Sequence, residues 1–414
     1  MTIFSIIGTR RFASQVERAA AGIIVVWAVF APGMAQAKTS AWINTSIKAD
    51  YASNPFLVSG PKTSAASATI SVSPGLKYTD GQKTINFSAD YRHSEFSRRF
   101  SSNESYSTNA SLSQKMSSRL DFNANIGVDS SIVGANDLLT FGPNPVNGGA
   151  FPPLPGDIAL NGLRQRRQAI NGGIGLNYIA SARDSIQTQG GFSMVRFPSG
   201  SVASEYDSAN GSIGYDRVLN SRTSVGLNLS VSRADYRQTS LGDATTFSPQ
   251  ATFSTKFGAN WSLTAALGVS YSKIRGLNGR STQTSASGRL NLCNASSRGK
   301  LCLFGSRSIQ PTSFGNSVRP QTSAGVSYNL RLDTRSTIDA TANLTRSGQI
   351  GISNIVTSRS VDYAQASLTY SRRISQRLNG FVTGIYADSY HDPIQRRANA
   401  NLSVGISYAF GDIR

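Results

Sequence analysis

Few residues in this 414-residue chain are equipped for covalent chemistry. Cys293 and Cys302 are the only cysteines, and His93 and His391 the only histidines. An exported chain with two thiols flanking the short turn Asn294–Leu301 predicts a structural disulfide, because an oxidising compartment favours it. A metal or redox centre would want more ligands than two. Both histidines fall near loop ends with no nucleophile motif beside them, so a Ser-His arrangement of the lipase kind finds no support and both read as solvated loop residues. Asp137, Asp157, Asp333 and Asp362 lack a ligand spacing, and no Gly-rich phosphate loop, His/Glu metal motif or calcium loop occurs. The expectation is a protein that is not an enzyme and uses no cofactor or metal.

Charge is what the sequence supplies in quantity. Lys and Arg number 41 against 22 Asp and Glu, a formal charge of +19. The basic residues are scattered singly through alternating segments and are not gathered into runs interleaved with aromatics, which argues against nucleic acid. An acidic polymer or the phosphates of lipopolysaccharide remain as partners for such a balance.

The elements that carry these residues are strands. Residues 1–37 read first as a secretory signal, with Arg10, Arg11 and Arg18 in the basic region, an apolar run from Ala19 to Ala31, and Ala35-Gln36-Ala37 as the cleavage site. That run is too short to span a bilayer as a helix. Arg10-Arg11 hints at a twin-arginine signal, but Phe12 follows the pair directly, and a barrel must cross the inner membrane unfolded. No later apolar run is long enough for a transmembrane helix. Instead, apolar residues recur at every second position: Ile43, Thr45, Ile47, Ala49, Tyr51; Leu120, Phe122, Ala124, Ile126, Val128; Trp261, Leu263, Ala265, Leu267, Val269, Tyr271. Between them stand Ser, Thr, Asn, Gly and Gln. Segments of about 9–12 residues with one apolar face fit a tilted membrane-crossing strand. Aromatics at the segment ends, such as Tyr51, Tyr78, Tyr91, Tyr178, Tyr271, Tyr328 and Tyr370, would form the interfacial girdle.

Short turns carry a small or polar residue and then Arg: Ser118-Arg119, Ala182-Arg183, Ser221-Arg222, Ser297-Arg298, Thr334-Arg335 and Gln376-Arg377. Their spacing near forty residues fits one hairpin of two long strands; propeller blades would need four short ones and a Trp-Asp signature. Longer, irregular connections alternate with these turns at 97–104, 133–165, 197–204, 237–244, 305–322, 346–360 and 388–397. The fold class that follows is all-β: a transmembrane antiparallel up-and-down β-barrel of about 18 strands (16–18), occupying residues 38–414, in the outer membrane of a Gram-negative cell. The last strand, Asn401 to Phe410, carries Ser403, Gly405, Tyr408 and Phe410 in the order of the closing-strand signal that the barrel-assembly machinery reads. Segment 133–165, rich in Pro and Gly yet holding Leu138, Leu139, Phe141, Phe151, Leu154 and Leu160, is either a constriction folded into the lumen or an extracellular loop packed on itself.

Alternation places Lys48, Asp50, Asp90, Arg92, Lys256, Arg289 and Arg331 in the lumen, together with both thiols. Arg164, Arg166 and Arg167 lie where the long segment returns to the wall. Lined in this way, a pore would favour anions. Lys273 and Arg346 fall on the outward face at the outer end, where lipopolysaccharide phosphates are the expected partners.

The stretch Asp50-Tyr51-Ala52-Ser53-Asn54-Pro55-Phe56-Leu57, followed by Ile70-Ser71-Val72-Ser73-Pro74-Gly75-Leu76, resembles the β-barrel porin 2 family, whose members open with a similar SNPF-like loop and SPGL-like strand. The resemblance implies an outer-membrane barrel without catalytic residues. It also implies, by association, a link to exopolysaccharide synthesis and export. Two functions are therefore expected: a porin-like channel with a basic lumen, passing anionic solutes or an acidic polysaccharide, or a non-conducting accessory protein of exopolysaccharide biosynthesis and export. An outer-membrane hydrolase lacks a catalytic set, and a TonB-dependent transporter would need a plug domain before the first strand.

Overall fold

The computed structural model describes residues 38–61, 63–97, 99–132, 164–198, 203–237, 242–276, 279–313, 317–348, 360–390 and 396–412. The expected signal segment 1–37, residues 133–163 of the long connection, and His391 lie outside them.

The strands are β1 (Lys38–Ala52), β2 (Ala65–Asp80), β3 (Lys83–Phe96), β4 (Asn103–Lys115), β5 (Leu120–Ile132) and β6 (Arg166–Ile179). They continue as β7 (Asp184–Arg196), β8 (Tyr206–Asn220), β9 (Thr223–Tyr236), β10 (Ala244–Phe257), β11 (Trp261–Gly276) and β12 (Gly279–Ala295). The set ends with β13 (Gly299–Thr312), β14 (Ser317–Arg331), β15 (Ser336–Ser347), β16 (Val361–Arg373), β17 (Leu378–Tyr390) and β18 (Asn399–Gly411). All eighteen form one sheet in which sequence neighbours pair antiparallel, and β1 pairs with both β2 and β18, so the sheet closes on itself. Closure leaves no sheet edge, which is what a β structure in lipid requires.

Period-two alternation decides which way each side chain points. Outward stand Ile47 at 57% exposure, Leu267 at 67% and Leu402 at 57%, an apolar belt that only lipid would cover. Inward stand Asp50 at 5% and Ser403 at 2%. Tyr51, Tyr91 and Tyr271 ring the belt at the long-loop end, and Tyr178 and Tyr328 ring it at the other. An apolar exterior, a polar interior and aromatic girdles define an outer-membrane barrel.

The turn repeat has a physical cause one residue earlier than the sequence pattern suggested. Ser117 Oγ accepts the Arg119 N–H at 3.2 Å, Ser181 Oγ that of Arg183 at 3.1 Å, and Asn220 Oδ1 that of Arg222 at 2.9 Å. Asp333 Oδ1 does the same for Arg335 at 2.6 Å, and Ser375 Oγ for Arg377 at 3.3 Å. The recurring unit is Ser, Asn or Asp, any residue, then Arg: a side-chain oxygen replaces a backbone acceptor where the chain reverses.

One expected connection is corrected. Residues 305–322 are not an irregular loop; β13 and β14 run on through them, joined at 313–316. Gly305, Pro311 and Pro320 obscured the strand pattern, and the outer end of this hairpin does not stay in the wall.

Candidate channel lumen and mouth

Small polar residues on the inner faces leave space along the axis. A cavity of about 780 Å³ lies against β7 to β13, lined by Gln187, Asn210, Asn228, Gln250, Arg289 and a set of Ser and Thr hydroxyls. The charges expected in the lumen divide by height. Toward the long-loop end they are paired: Lys48 Nζ lies 2.9 Å from Asp50 Oδ1, Arg92 Nε 2.8 Å from Asp90 Oδ1, and Arg167 Nη1 3.1 Å from Asp129 Oδ2. Toward the short-turn end Lys256 and Arg331 are exposed to the interior, and the same alternation adds Lys77, Lys115 and Lys300. None of these five forms an ion pair among the described residues, and Asp121 stands opposite Lys115 on the same face.

The three arginines after the long connection do not act together. Only Arg167 points inward. Arg166, one residue out of phase, falls on the outward face with Ile170 and donates to Ser130 Oγ at 3.2 Å, which corrects its expected place in the lumen. Arg164 precedes β6 with φ 49° and lays its guanidinium 4.9 Å above the rings of both Phe56 and Phe100.

That contact belongs to a lid of three inward-packed segments. The first is the connection after β1. Asn54 is fully buried and holds it: its Nδ2 donates to Val58 O and to Arg397 O, both at 2.9 Å; its Oδ1 accepts the Val58 N–H at 3.0 Å; and its own N–H reaches Asn399 Oδ1 at 2.9 Å. Leu57, held in the left-handed region at φ 51°, is wholly buried against Val361, Tyr363 and Ala387. Phe56 packs among Ala65, Phe96 and Phe100, with ring centroids 5.4 Å and 4.9 Å from Phe96 and Phe100. The SNPF-like motif thus builds a plug at the mouth, where the sequence had given it no role.

The second segment follows β7, with Phe197 and Ala203 packed on the inward Ala169 and Val195. The third is the outer end of the β13–β14 hairpin. The ladder between β12 and β13 runs only from Ala295–Lys300 to Gly288–Arg307, although β12 stays paired with β11 up to Gly276–Gly279. Beyond Arg307 the hairpin leaves the wall. Ile309 and Val318 pack on Ala234, Ala244 and Ile274, inward positions of β9, β10 and β11. Tyr236 Oη accepts the Thr312 N–H at 3.1 Å and donates to Thr312 O at 2.9 Å, and the Ser204 N–H donates to Ser313 O at 2.6 Å, tying the third segment to the second. Arg307 straps the parting, with Nε 3.3 Å from Ser285 Oγ and Nη1 3.4 Å from Thr322 Oγ1.

No family model matches the chain, and no curated protein matches it either. Solved structures do resemble it. OccK2 (OpdF) of Pseudomonas aeruginosa has a TM-score of 0.46 at 11% identity over 90% of this chain and 98% of that one. OpdL of the same species gives 0.45 at 10%, over 90% and 99%, and the FrpB iron transporter from Neisseria meningitidis 0.46 at 8%, over 90% and 82%. At these identities the likeness concerns the barrel alone, and the β-barrel porin 2 resemblance rests on its short motifs.

The remaining sequence-derived residues separate cleanly. Cys293 and Cys302 face each other across the paired part of the β12–β13 seam, Cα atoms 4.1 Å apart, and are joined as a disulfide. His93 sits outside, between Glu95 at 3.3 Å and Glu104 at 3.6 Å. Arg346 lies 3.6 Å from Asp362 on the outward face, and Lys273 Nζ stands 6.0 Å from the Tyr271 ring centre. Ser403 donates to Asp50 across the β1–β18 seam, Gly405 leaves room for the Phe381 ring, and the Tyr408 and Phe410 rings pack tilted against each other on the outward face with centroids 4.5 Å apart. Sequence reading missed Asn54, Tyr236 and Asp129. Asn54 alone had a signal, lying inside a quoted motif.

Proposed function

We propose that the chain is a water-filled outer-membrane channel with an anion preference set near its short-turn end and a mouth narrowed by the three packed segments. The observation that carries this reading is the closed barrel with a polar inner face and a lumenal cavity of about 780 Å³. Paired charges in the outer half cancel one another, so the anion bias falls to Lys77, Lys256, Lys300 and Arg331, which form no ion pair among the described residues. Lys273 supplies outward positive charge for lipopolysaccharide phosphates, while the charge of Arg346 is shared with Asp362. The packed mouth favours a second reading, a barrel that does not conduct freely and serves exopolysaccharide export as an accessory. Planar-bilayer recording of the refolded protein under a salt gradient separates the two. Steady openings with a reversal potential on the anion side, moved toward zero when Lys256, Lys300 and Arg331 become Gln, support the channel; a folded barrel that never conducts supports the accessory.

A further inference from the structure

Glycines and carboxamides face each other across the lumen wall with a regularity that neither a solvated interior nor the anion preference requires. Asn109 stands opposite Gly127, Asn123 opposite Gly175, Asn125 opposite Gly173, Asn210 opposite Gly191, and Asn228 opposite Gly214, all on the inward face. Each amide lies down over its glycine. A methyl group added to Gly175 would sit 2.6 Å from Asn123 Oδ1; at Gly173 it would sit 3.0 Å from Asn125 Oδ1, and at Gly191 3.0 Å from Asn210 Oδ1. At Gly127 and Gly214 the amide atom would be 3.6 Å away. Glycine inside a strand is destabilising relative to alanine, so five such pairs hold a shape at a real cost in stability.

That shape is a wall with its amides laid flat. Among the described residues, no protein hydrogen bond is made by the side chains of Asn109, Asn123, Asn125, Asn210 or Asn228, and four of the five are exposed to the lumen, with Asn228 half-buried. A carboxamide offers two donors and one acceptor without charge. Carboxylates or phosphates would be met by guanidinium forks, and the arginines nearest the upper lumen are already paired. A peptide would want apolar wall for alternate side chains, and here the wall between amides is mostly Gly, Ser and Thr, with Gln187, Gln189 and Asp216 among them. Hydroxyl groups, each donor and acceptor at once, match the belt.

We propose that the amide belt from β4 to β9 is a binding track for a neutral, hydroxyl-rich chain, an oligosaccharide, which slides along it. The proposal rests on the channel reading and names the solute class of that lumen. Many weak, equivalent sites suit transit, since a solute must leave as readily as it enters.

The test is block of single-channel current by linear neutral oligoglucosides, with polyethylene glycol of matched size and an oligouronate as comparisons. The expected result is resolved blocks by the oligoglucoside that lengthen with chain length and change little with salt, and that shorten roughly tenfold or more when Asn125, Asn210 and Asn228 become Leu, each lost hydrogen bond being worth about 1 kcal/mol. Blocks no longer than those of polyethylene glycol, blocks by the oligouronate alone, or an unchanged dwell time in the triple variant would each overturn it. Should the barrel not conduct, the channel reading fails on its own account; calorimetric titration of the refolded protein with the oligoglucoside then decides, binding that the triple variant loses supporting the belt and no binding overturning it. Heat-modifiable migration checks that the variants are folded.

Discussion

Tyr236 is the residue on which the third lid segment turns. Its hydroxyl satisfies both the N–H and the C=O of Thr312, and its side chain is only 5% exposed. Phe at this position keeps the ring and leaves two polar groups without their partner, a loss of about 1–3 kcal/mol. Tyr236→Phe is therefore expected to loosen the hairpin tip and raise mean conductance, or shorten closed times, in bilayer recordings; unchanged currents would show that the tip does not narrow the path. Arg164 acts from outside the cluster. Stacking over two rings contributes about 0.5–2 kcal/mol, and Arg164→Ala should make Phe56 and Phe100 more accessible to quenchers and proteases while leaving the barrel's heat-modifiability intact.

At the scale of elements, the β12–β13 seam is the thinnest joint in the wall, and the only disulfide crosses it. Reduction, or replacement of Cys293 and Cys302 by Ser, should lower the temperature at which the folded band converts to the unfolded one on a gel; an equal temperature would mean that the ladder alone suffices. The turn at Asp333 makes a pH-dependent contribution. The Arg335 N–H, then the Ser336 side chain and backbone, with Arg372 beside them, hold the Asp333 carboxyl below its ordinary range. A lowered folded pKa stabilises above the unfolded value and is lost as pH falls through the folded one. Asp333→Asn should thus lower thermal stability slightly at neutral pH, with the difference vanishing in acid. Strands and short turns were legible in the sequence because alternation and the Arg-bearing turns repeat locally. The inward hairpin was not: Ile309 and Val318 find Ala234, Ala244 and Ile274 through contacts that no local period encodes, and prolines disguised the strands that carry them. The disulfide was legible because only two cysteines exist; the pairing of the inward charges was not, because it depends on register between strands.

The whole molecule is a cylinder that presents apolar surface to lipid and polar surface to its axis. Arginine in place of Leu267, at the middle of the belt, should cost about 2–4 kcal/mol in a bilayer unfolding titration, while a polar exchange at the inward Ser270 next door should cost far less. The lid also has an order in time. Its first segment lies just after β1, yet Asn54 is held by Arg397 and Asn399, and Leu57 by Val361, Tyr363 and Ala387. Those partners arrive some three hundred residues later in the chain, at or beside the strands that complete the ring. The plug therefore has nowhere to dock until both ends of the sheet have met. A barrel caught halfway through insertion stands open at the top, and a narrowed mouth is the record that assembly has finished.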